Sequence, residues 1–260
     1  MIKFFKYNSC GNDFIIIDNR KIKLVFQKSY IKFLCDRERG VGADGFILLE
    51  EDAEVNYFMN YFNSDGLPSS FCGNGSMCCA HFAMFANSSS GNGSFRTREG
   101  VFDFQVNLNN SKTTISMIDV FDFHKNDTRL LINTGSPHYV SFVSNIDDID
   151  VNNEGGEIRF SSLFKSEGVN VTFANCVDST LSIRTYERGV ESETLSCGTG
   201  AVAAVLAAFI CNLINKNSIL VHTRGGDLKV QFKNHSYNFT DIKLTSIVQQ
   251  DFEGILPVMP

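Results

Sequence analysis

An internal repeat is the feature that most constrains how this chain of 260 residues can fold. Residues 72–75 (CGNG) and 197–200 (CGTG) share a Cys-Gly-x-Gly pattern and begin 125 residues apart. A tyrosine stands eleven residues before each cysteine. Three further pairs of segments match in the same order at nearly the same spacing: residues 8–14 with 133–139, 42–44 with 168–170, and 96–100 with 222–226. Such ordered matches predict two structurally similar halves.

Each half has the same predicted order of elements. Strand-like stretches rich in Phe and Ile, such as residues 45–50, 56–63 and 179–186, alternate with Asn, Gly and Asp turns. Each half also holds one long apolar segment of helical length, at residues 76–85 and 201–214. The longest apolar run, residues 201–211, is shorter than the roughly 20 residues that span a bilayer, so it indicates a buried helix.

We therefore predict an α+β fold of two pseudo-symmetric domains, each a mixed β-sheet around a central helix. The predicted first domain is residues 1–119 and carries Cys72, and the second is residues 120–248 and carries Cys197. Residues 249–260 form a tail that is expected to return to the first domain. Residues 120–133 are predicted to be the crossover between the domains, and residues 87–93 a surface loop.

Composition excludes several classes of function. The chain has 23 Lys+Arg against 29 Asp+Glu, a formal net charge of −6, and no basic run, so no nucleic-acid partner is expected. The N-terminal residues show no secretory signal, and no membrane partner is expected. The eight cysteines include no C-x-x-C pair. We therefore expect no metal, reduced thiols and a cytoplasmic location.

Cys72 and Cys197 each stand directly before Gly-x-Gly and a predicted helix. The first turn of a helix leaves backbone N–H groups unpaired and carries positive potential, and glycine lets a ligand approach that backbone closely. Each motif is therefore predicted to bind an anion such as a carboxylate, beside a thiol whose pKa is lowered toward neutrality.

Two such motifs in matching halves predict one site at their interface, with the chemistry of a two-base racemase or epimerase. One thiolate would remove the α-proton of an amino acid and the opposing thiol would deliver a proton to the other face. No lysine-centred pyridoxal phosphate motif is evident, so no cofactor is expected and the helix ends would stabilise the developing charge. Two other interpretations stay open: buried first-turn cysteines with a purely structural role, or a redox pair of thiols.

Several polar residues can line such a site, although each also has a structural interpretation. Asn12 and Asn63 lie in segments that can equally form simple turns. Glu187 and Arg188, ahead of the second cysteine motif, suit ammonium and carboxylate recognition or form a surface ion pair. His138 is more often structural when it stands without a partner.

The chain resembles the diaminopimelate epimerases over nearly its whole length. The resemblance is carried by the motifs GNDF (11–14), CDRERGVGADG (35–45), FNSDG (62–66), CGNG (72–75), GSPH (135–138), GVNVTF (168–173), YERGV (186–190) and ETLSCGTGA (193–201). It implies two pseudo-symmetric domains and a homodimer in the cytoplasm. It also implies cofactor-independent interconversion of L,L- and meso-2,6-diaminopimelate, a small-molecule substrate on the route to lysine and peptidoglycan.

The resemblance also implies roles for residues that match the family's motifs. Cys72 and Cys197 would be the acid–base pair. The substrate would be bound by Asn12, Asn63, Gly73, Asn74, Asn170, Glu187, Arg188, Gly198 and Thr199, with the glycines, Asn74 and Thr199 on the reacting carboxylate and Arg188 on a distal one. His138 and Ser136 would support the site.

Three departures from the family pattern bear on substrate choice. Ser136 stands where many members have an asparagine that contacts substrate, and Met77 stands where many have an arginine. Residues 190–192 make the segment ahead of Glu193 one residue longer, which is expected to move Glu187 relative to Cys197. These departures leave two alternatives open: another pyridoxal-independent racemase of the same fold, of the histidine or proline/hydroxyproline type, or an amino-acid-binding protein without activity.

Overall fold

The computed structural model of the protein describes residues 1–69, 71–86, 90–127 and 129–256. The first elements are β1 (Ile2–Ser9), β2 (Asn12–Asp18), α1 (Lys28–Cys35), β3 (Gly45–Glu50), β4 (Tyr57–Asn63), α2 (Gly73–Ala86), β5 (Gly91–Thr97), β6 (Gly100–Asn107) and β7 (Lys112–Ser116). The remaining elements are β8 (Phe123–Asn126), β9 (Arg129–Asn133), β10 (Pro137–Phe142), α3 (Val151–Arg159), β11 (Asn170–Val177), β12 (Thr180–Glu187), β13 (Ser192–Thr194), α4 (Gly198–Ile210), β14 (Ser218–Thr223), β15 (Gly226–His235) and β16 (Asn238–Leu256).

The chain divides into two compact units. Unit 1 holds Met1–Ile115 and the described residues from Ser246 onward, and unit 2 holds Ser116–Thr245. The strand β16 begins in unit 2 and ends in unit 1. The domain bounds of 1–119 and 120–248 given above stay a prediction.

The sheet of unit 1 closes on itself. Its hydrogen-bonded neighbours run β1-β2-β3-β4-β5-β6-β7-β16, and the end of β16 pairs with β1, with Ile2 opposite Leu256 and Ser9 opposite Val248. The pairs β2–β3 and β4–β5 are parallel and the other recorded pairs are antiparallel, so the sheet is mixed. Closure removes the exposed strand edges that an open sheet presents.

The buried strand β2 shows why unit 1 needs helices on both faces of its sheet. Residues 14–17 (FIII) are all fully buried, and an uninterrupted apolar run of this kind is typical of a strand covered on both sides. Ile15 and Ile17 pack in one cluster with Ile31 of α1. On the other face, the Phe14 ring lies so near Gly75 of α2 that a Cβ there would be 3.2 Å from it.

Unit 2 repeats this plan with a second mixed sheet around α4. Its strands run β16-β15-β14-β12-β11-β10-β9-β8, with β13 paired to β12. The pairs β10–β11 and β12–β14 are parallel. The short helix α3 begins at the N-cap Asp150, whose side chain accepts from the Asn153 amide. Its residue Val151 packs in a cluster with Val171, Phe173 and Tyr186.

The central helices α2 and α4 are buried almost all round. Residues 73–84 of α2 and 198–208 of α4 are all buried. A helix that is apolar on every side belongs in a core, so the predicted buried helices and the predicted fold class are confirmed. Among the residues described, no helix is long and apolar enough to cross a membrane.

Three element predictions need correction. The predicted crossover at residues 120–133 is wrong, because Phe123–Asn126 and Arg129–Asn133 pair as the antiparallel strands β8 and β9 within unit 2, and Leu130 and Ile132 of β9 are buried. Gly91–Thr97 is the strand β5, so residues 91–93 are not loop, and residues 87–89 lie outside the described residues. The helix α4 ends at Ile210 rather than at residue 214, since Asn212 adopts a positive φ of 57°.

Candidate active site

Cys72 lies directly before the first residue of α2. The Gly75 amide donates to the Cys72 sulfur at 3.4 Å, and the Ser76 amide donates to the Cys72 carbonyl oxygen at 2.8 Å. The sulfur of this half-buried residue therefore faces the positive end of a buried helix. A backbone N–H directed at sulfur favours negative charge on it.

Asn12 contacts Cys72 in a fixed orientation. The Cys72 thiol donates to Asn12 Oδ1 at 3.8 Å, and Asn12 Nδ2 donates to Asp44 Oδ2 at 2.8 Å. Because the carboxylate accepts only from the NH₂ end of the amide, Asp44 determines that the amide oxygen faces the thiol.

An ion cluster holds Asp44 and its neighbour Asp13 in place. The Arg37 guanidinium forms a bidentate pair with Asp13 at 2.8 and 3.0 Å and also reaches Asp44 at 2.7 Å. The buried Lys6 ammonium lies 2.6 Å from Asp13 and donates to the Gly42 carbonyl oxygen. Burial pushes the pKa of Asp13 upward, but hydrogen bonds from Arg37 and Lys6 outweigh it and lower the pKa to about 2.

The other predicted residues of unit 1 lie in two different settings. Gly73 and the buried Asn74 form the first turn of α2, next to Cys72. Asn63 ends β4 on an exposed turn, where its carbonyl oxygen accepts from the Gly66 amide. Met77, the departure from the family's arginine, is fully buried within α2.

Cys197 occupies the corresponding position before α4 in unit 2. It is the N-cap residue, with extended backbone angles of −130° and 111°, and Gly198 is the first residue of the helix. Its sulfur lies 3.5 Å from Thr199 Oγ1 and accepts a hydrogen bond from the Gly200 backbone. The Cys197 thiol in turn donates a hydrogen bond to the Glu187 carboxylate. The structure therefore brings Glu187, Cys197 and Thr199 together.

The prediction that the helix end lowers the pKa of the thiol is wrong for Cys197. Its side chain is 7% exposed, and burial raises its pKa well above the usual value. The negative charge of Glu187 raises it further, while the hydrogen bonds from Thr199 and Gly200 act in the opposite direction. Desolvation and a neighbouring carboxylate thus outweigh the helix end, and Cys197 is a thiol at neutral pH.

His138 supports Thr199 from inside the core. Its Nε2 lies 2.9 Å from Thr199 Oγ1, and its Nδ1 lies 3.1 Å from Thr172 Oγ1, which in turn lies 3.2 Å from Thr185 Oγ1. Complete burial, together with the charge of Arg188, lowers the pKa of His138 to about 3. His138 is therefore a neutral hydrogen-bonding group that holds Thr199 beside the sulfur of Cys197.

Asn170 links the other polar residues of unit 2. Its Nδ2 donates to Ser136 Oγ at 2.7 Å and to the Pro137 carbonyl oxygen at 3.1 Å, and its Oδ1 accepts from the Arg188 amide at 2.9 Å. The Arg188 side chain is exposed and donates to the Glu167 carbonyl oxygen at 2.8 Å. The serine that departs from the family pattern is thus an acceptor for Asn170.

Residues 190–192, the segment that is one residue longer than the family pattern, lie at a hairpin turn. Strands β12 and β13 pair with Glu187 opposite Ser192 and Thr185 opposite Thr194. Glu191 absorbs the extra residue with a positive φ of 57°, and its amide donates to the Glu187 carbonyl oxygen at 2.8 Å. The Glu187 carboxylate lies beside Cys197 in this arrangement, and its displacement relative to the family pattern stays a prediction.

Two sets of contacts at the cysteines were absent from the sequence prediction. One is the ion cluster formed by Lys6, Arg37, Asp13 and Asp44. Residue 44 belongs to the internal repeat, but the repeat gave it no predicted partner. The other is Thr194, whose hydroxyl donates to Glu187 Oε1 at 2.6 Å. Both join residues that are not adjacent in sequence, and the sequence carries no signal for such pairs. Within the described ranges, no three His, Cys, Asp or Glu side chains cluster as a metal would require.

The family model described as diaminopimelate epimerase matches the chain twice, over residues 4–121 and 130–245. The double match corresponds to the internal repeat.

Curated relatives cover nearly the whole chain. A diaminopimelate epimerase from Flavobacterium psychrophilum is 42% identical over 97% of this chain and 99% of its own length. Another, from Aquifex aeolicus, is 35% identical over 98% of each. A solved structure of a probable proline racemase from Agrobacterium radiobacter has a TM-score of 0.76 at 12% identity, covering 100% of this chain and 94% of that one, and shows the shared fold. By its family model and these relatives, the chain belongs to the diaminopimelate epimerase family.

Proposed function

We propose that this protein is an isomerase that interconverts L,L- and meso-2,6-diaminopimelate without a cofactor, for lysine and peptidoglycan synthesis. Its two thiols, Cys72 and Cys197, act on one α-carbon, one as base and the other as acid. The observation that carries the proposal is the pair of cysteines, each at the N-terminus of a buried helix with a backbone amide donating to its sulfur. The relatives named diaminopimelate epimerase support the substrate.

The difficult step is removal of a weakly acidic α-proton. As the C–H bond breaks, negative charge builds on the neighbouring carboxylate, and donors already aimed at it lower the barrier. Gly73 and Asn74 at the start of α2 and Gly198 and Thr199 at the start of α4 supply backbone N–H groups of this kind. The helix ends take the role that pyridoxal phosphate plays in other racemases.

The protonation states follow the direction of the reaction. Cys197, held as a thiol by burial and by Glu187, is ready to deliver a proton. Cys72 acts as the base once it has lost the proton that it donates to Asn12. After one turnover the proton has moved from Cys197 to the substrate and the α-proton to Cys72. In the reverse direction the two roles exchange.

The remaining predicted residues bind the unreactive parts of the substrate. Asn12, Asn63 and Asn170 offer amide groups, and the exposed guanidinium of Arg188 suits a distal carboxylate. Because Ser136 accepts from Asn170, its own hydroxyl proton is left to donate. This donor replaces the asparagine contact of the family.

We also propose a cytoplasmic homodimer, on the family resemblance and on reduced thiols. Light scattering during size-exclusion chromatography measures this directly: a particle of about 58 kDa, twice the 29.0 kDa chain, is expected. A 29 kDa particle that is fully active would contradict it.

The substrate is tested with a panel of amino acids. The reduced protein is incubated with L,L-diaminopimelate, meso-diaminopimelate, L-histidine, L-proline and trans-4-hydroxy-L-proline, and the stereoisomers are separated by chiral chromatography. Conversion of the two diaminopimelates alone is expected. Cys176→Ala, which alters a half-buried thiol of β11, is the matched control and should keep full activity. Conversion of proline or histidine instead would contradict the proposed substrate.

A further inference from the structure

Thr194 stands behind the acid–base residue Cys197. Its Oγ1 donates to Glu187 Oε1 at 2.6 Å, and the Glu187 carboxylate also accepts a hydrogen bond from the Cys197 thiol. Thr194 is the last residue of β13, three residues before Cys197. Glu187 is the last residue of β12. The hydroxyl therefore ties the end of one strand to the segment that leads into α4.

A hydroxyl at this position affects both the orientation of the Glu187 carboxylate and its ionisation. A hydrogen bond donated to a carboxylate favours its ionised form, and a short one restricts its rotamers. An ionised carboxylate beside a thiol disfavours the thiolate. The Thr194 hydroxyl thus affects whether Cys197 keeps its proton, although it does not contact the sulfur.

The other charged groups around Glu187 are engaged elsewhere. The Arg188 guanidinium donates to the Glu167 carbonyl oxygen, and the Glu191 carboxylate pairs with Arg159 at 3.1 Å. His138, behind Thr199, is neutral. Thr194 therefore supplies the Glu187 carboxylate with a donor that carries no charge of its own.

We propose that Thr194 is a positioning residue of the reaction: its hydroxyl holds the Glu187 carboxylate against Cys197 and so favours the thiol form of Cys197 in the resting enzyme. This inference rests on the proposed function, because it assigns the resting state of one member of the acid–base pair. Thr194 itself makes no contact with the reacting atoms.

Thr194→Val removes the hydroxyl and keeps the shape of the side chain. Loss of a hydrogen bond to a charged group predicts a kcat that is lower by about tenfold to a hundredfold. KM should change less than about twofold, since Thr194 does not bind substrate. Thr194→Ser keeps the hydroxyl and should restore most of kcat. Thr240→Val, at a half-buried position of β16, is the matched control and should leave kcat unchanged.

The pH profile separates positioning from a merely structural role. The hydroxyl acts through the carboxylate beside Cys197, so the pH dependence of kcat should shift in Thr194→Val and return to that of the wild type in Thr194→Ser. In a Glu187→Gln background, Thr194→Val should cause no further loss. A loss that is equal at every pH, or one that adds to Glu187→Gln, would overturn the inference.

Alkylation of Cys197 gives a readout that does not need turnover. Peptide mass spectrometry follows the rate at which iodoacetamide modifies this thiol in the reduced protein. Displacing or neutralising Glu187 removes negative charge from beside the sulfur, so Thr194→Val and Glu187→Gln should both be modified faster than the wild type at one pH. Equal rates in the three proteins would refute the role of Thr194. Absence of epimerisation by the wild type would instead refute the proposed function.

Discussion

Replacing Asp13 by Asn should destabilise unit 1 and disturb Cys72 at the same time. Asp13 is the counterion of Lys6, whose side chain is only 5% exposed, and the two lie 2.6 Å apart. It also accepts the bidentate pair from Arg37 and the Asp44 amide. The neutral amide of Asp13→Asn leaves a buried ammonium without its charge partner. It also loosens the cluster that orients Asn12 through Asp44.

Two separate arguments give the size of this effect. The pKa of Asp13 falls from 3.8 to about 2 on folding, and this shift corresponds to roughly 2–3 kcal/mol of stability at neutral pH. Breaking a buried ion pair by removing one partner typically costs about 3–5 kcal/mol. We therefore expect Asp13→Asn to lower the free energy of unfolding by about 3 kcal/mol at pH 7.

The pH dependence has a definite sign. Because the folded pKa of Asp13 lies below its unfolded value, the stabilisation is fully present above pH 4 and is lost as pH falls toward about 2. Urea unfolding of wild type and Asp13→Asn at pH 7 and at pH 3 measures the difference, with the exposed Asp148→Asn as a control. The difference should shrink at pH 3. A difference below about 1 kcal/mol at pH 7, or one that grows at pH 3, would refute the reasoning.

Two further predictions concern unit 2. His138, with a pKa of about 3, should show no NMR titration between pH 5 and 8, and a titration midpoint near 6.5 would contradict this. Because the ring is buried in its neutral form, the free energy of unfolding should fall by about 1.4 kcal/mol for each pH unit below about 6.5. Gly155→Ala places a Cβ 2.6 Å from the Cβ of Tyr186 and should destabilise by about 1–3 kcal/mol. At Gly156 the nearest atom is 3.8 Å away, so Gly156→Ala should be neutral or stabilising. Thermal unfolding of both variants measures the difference, and equal destabilisation by the two would contradict the packing argument.

Regular elements with a clear local signal could be predicted from the sequence. The predicted strand 45–50 matches Gly45–Glu50 of β3, and the predicted helix 76–85 lies within Gly73–Ala86 of α2, because continuous apolar runs indicate full burial. The hairpin β8–β9 was missed since its first strand, Phe123–Asn126, carries mostly exposed residues. Without a buried face, such a strand has no alternating pattern.

The candidate site was predictable as a set of residues but not as a network. Glycine motifs identify the two helix starts, yet the pairing of Thr194 with Glu187, or of Lys6 with Asp13, depends on strand register that short motifs do not encode. The pKa of Cys197 shows the same limit. The sequence reveals the helix start beside it, whereas burial and the carboxylate of Glu187 emerge only in the fold.

Solvent deuterium incorporation tests the two-thiol mechanism most directly. The reduced protein is incubated with L,L-diaminopimelate in D₂O, and the α-hydrogens are followed by NMR in wild type, Cys72→Ala, Cys197→Ala and the control Cys176→Ala. The account predicts exchange with conversion to the meso form in the wild type and the control, and loss of conversion in both site variants. Conversion that survives in either site variant would contradict the assignment of Cys72 and Cys197 as the acid–base pair.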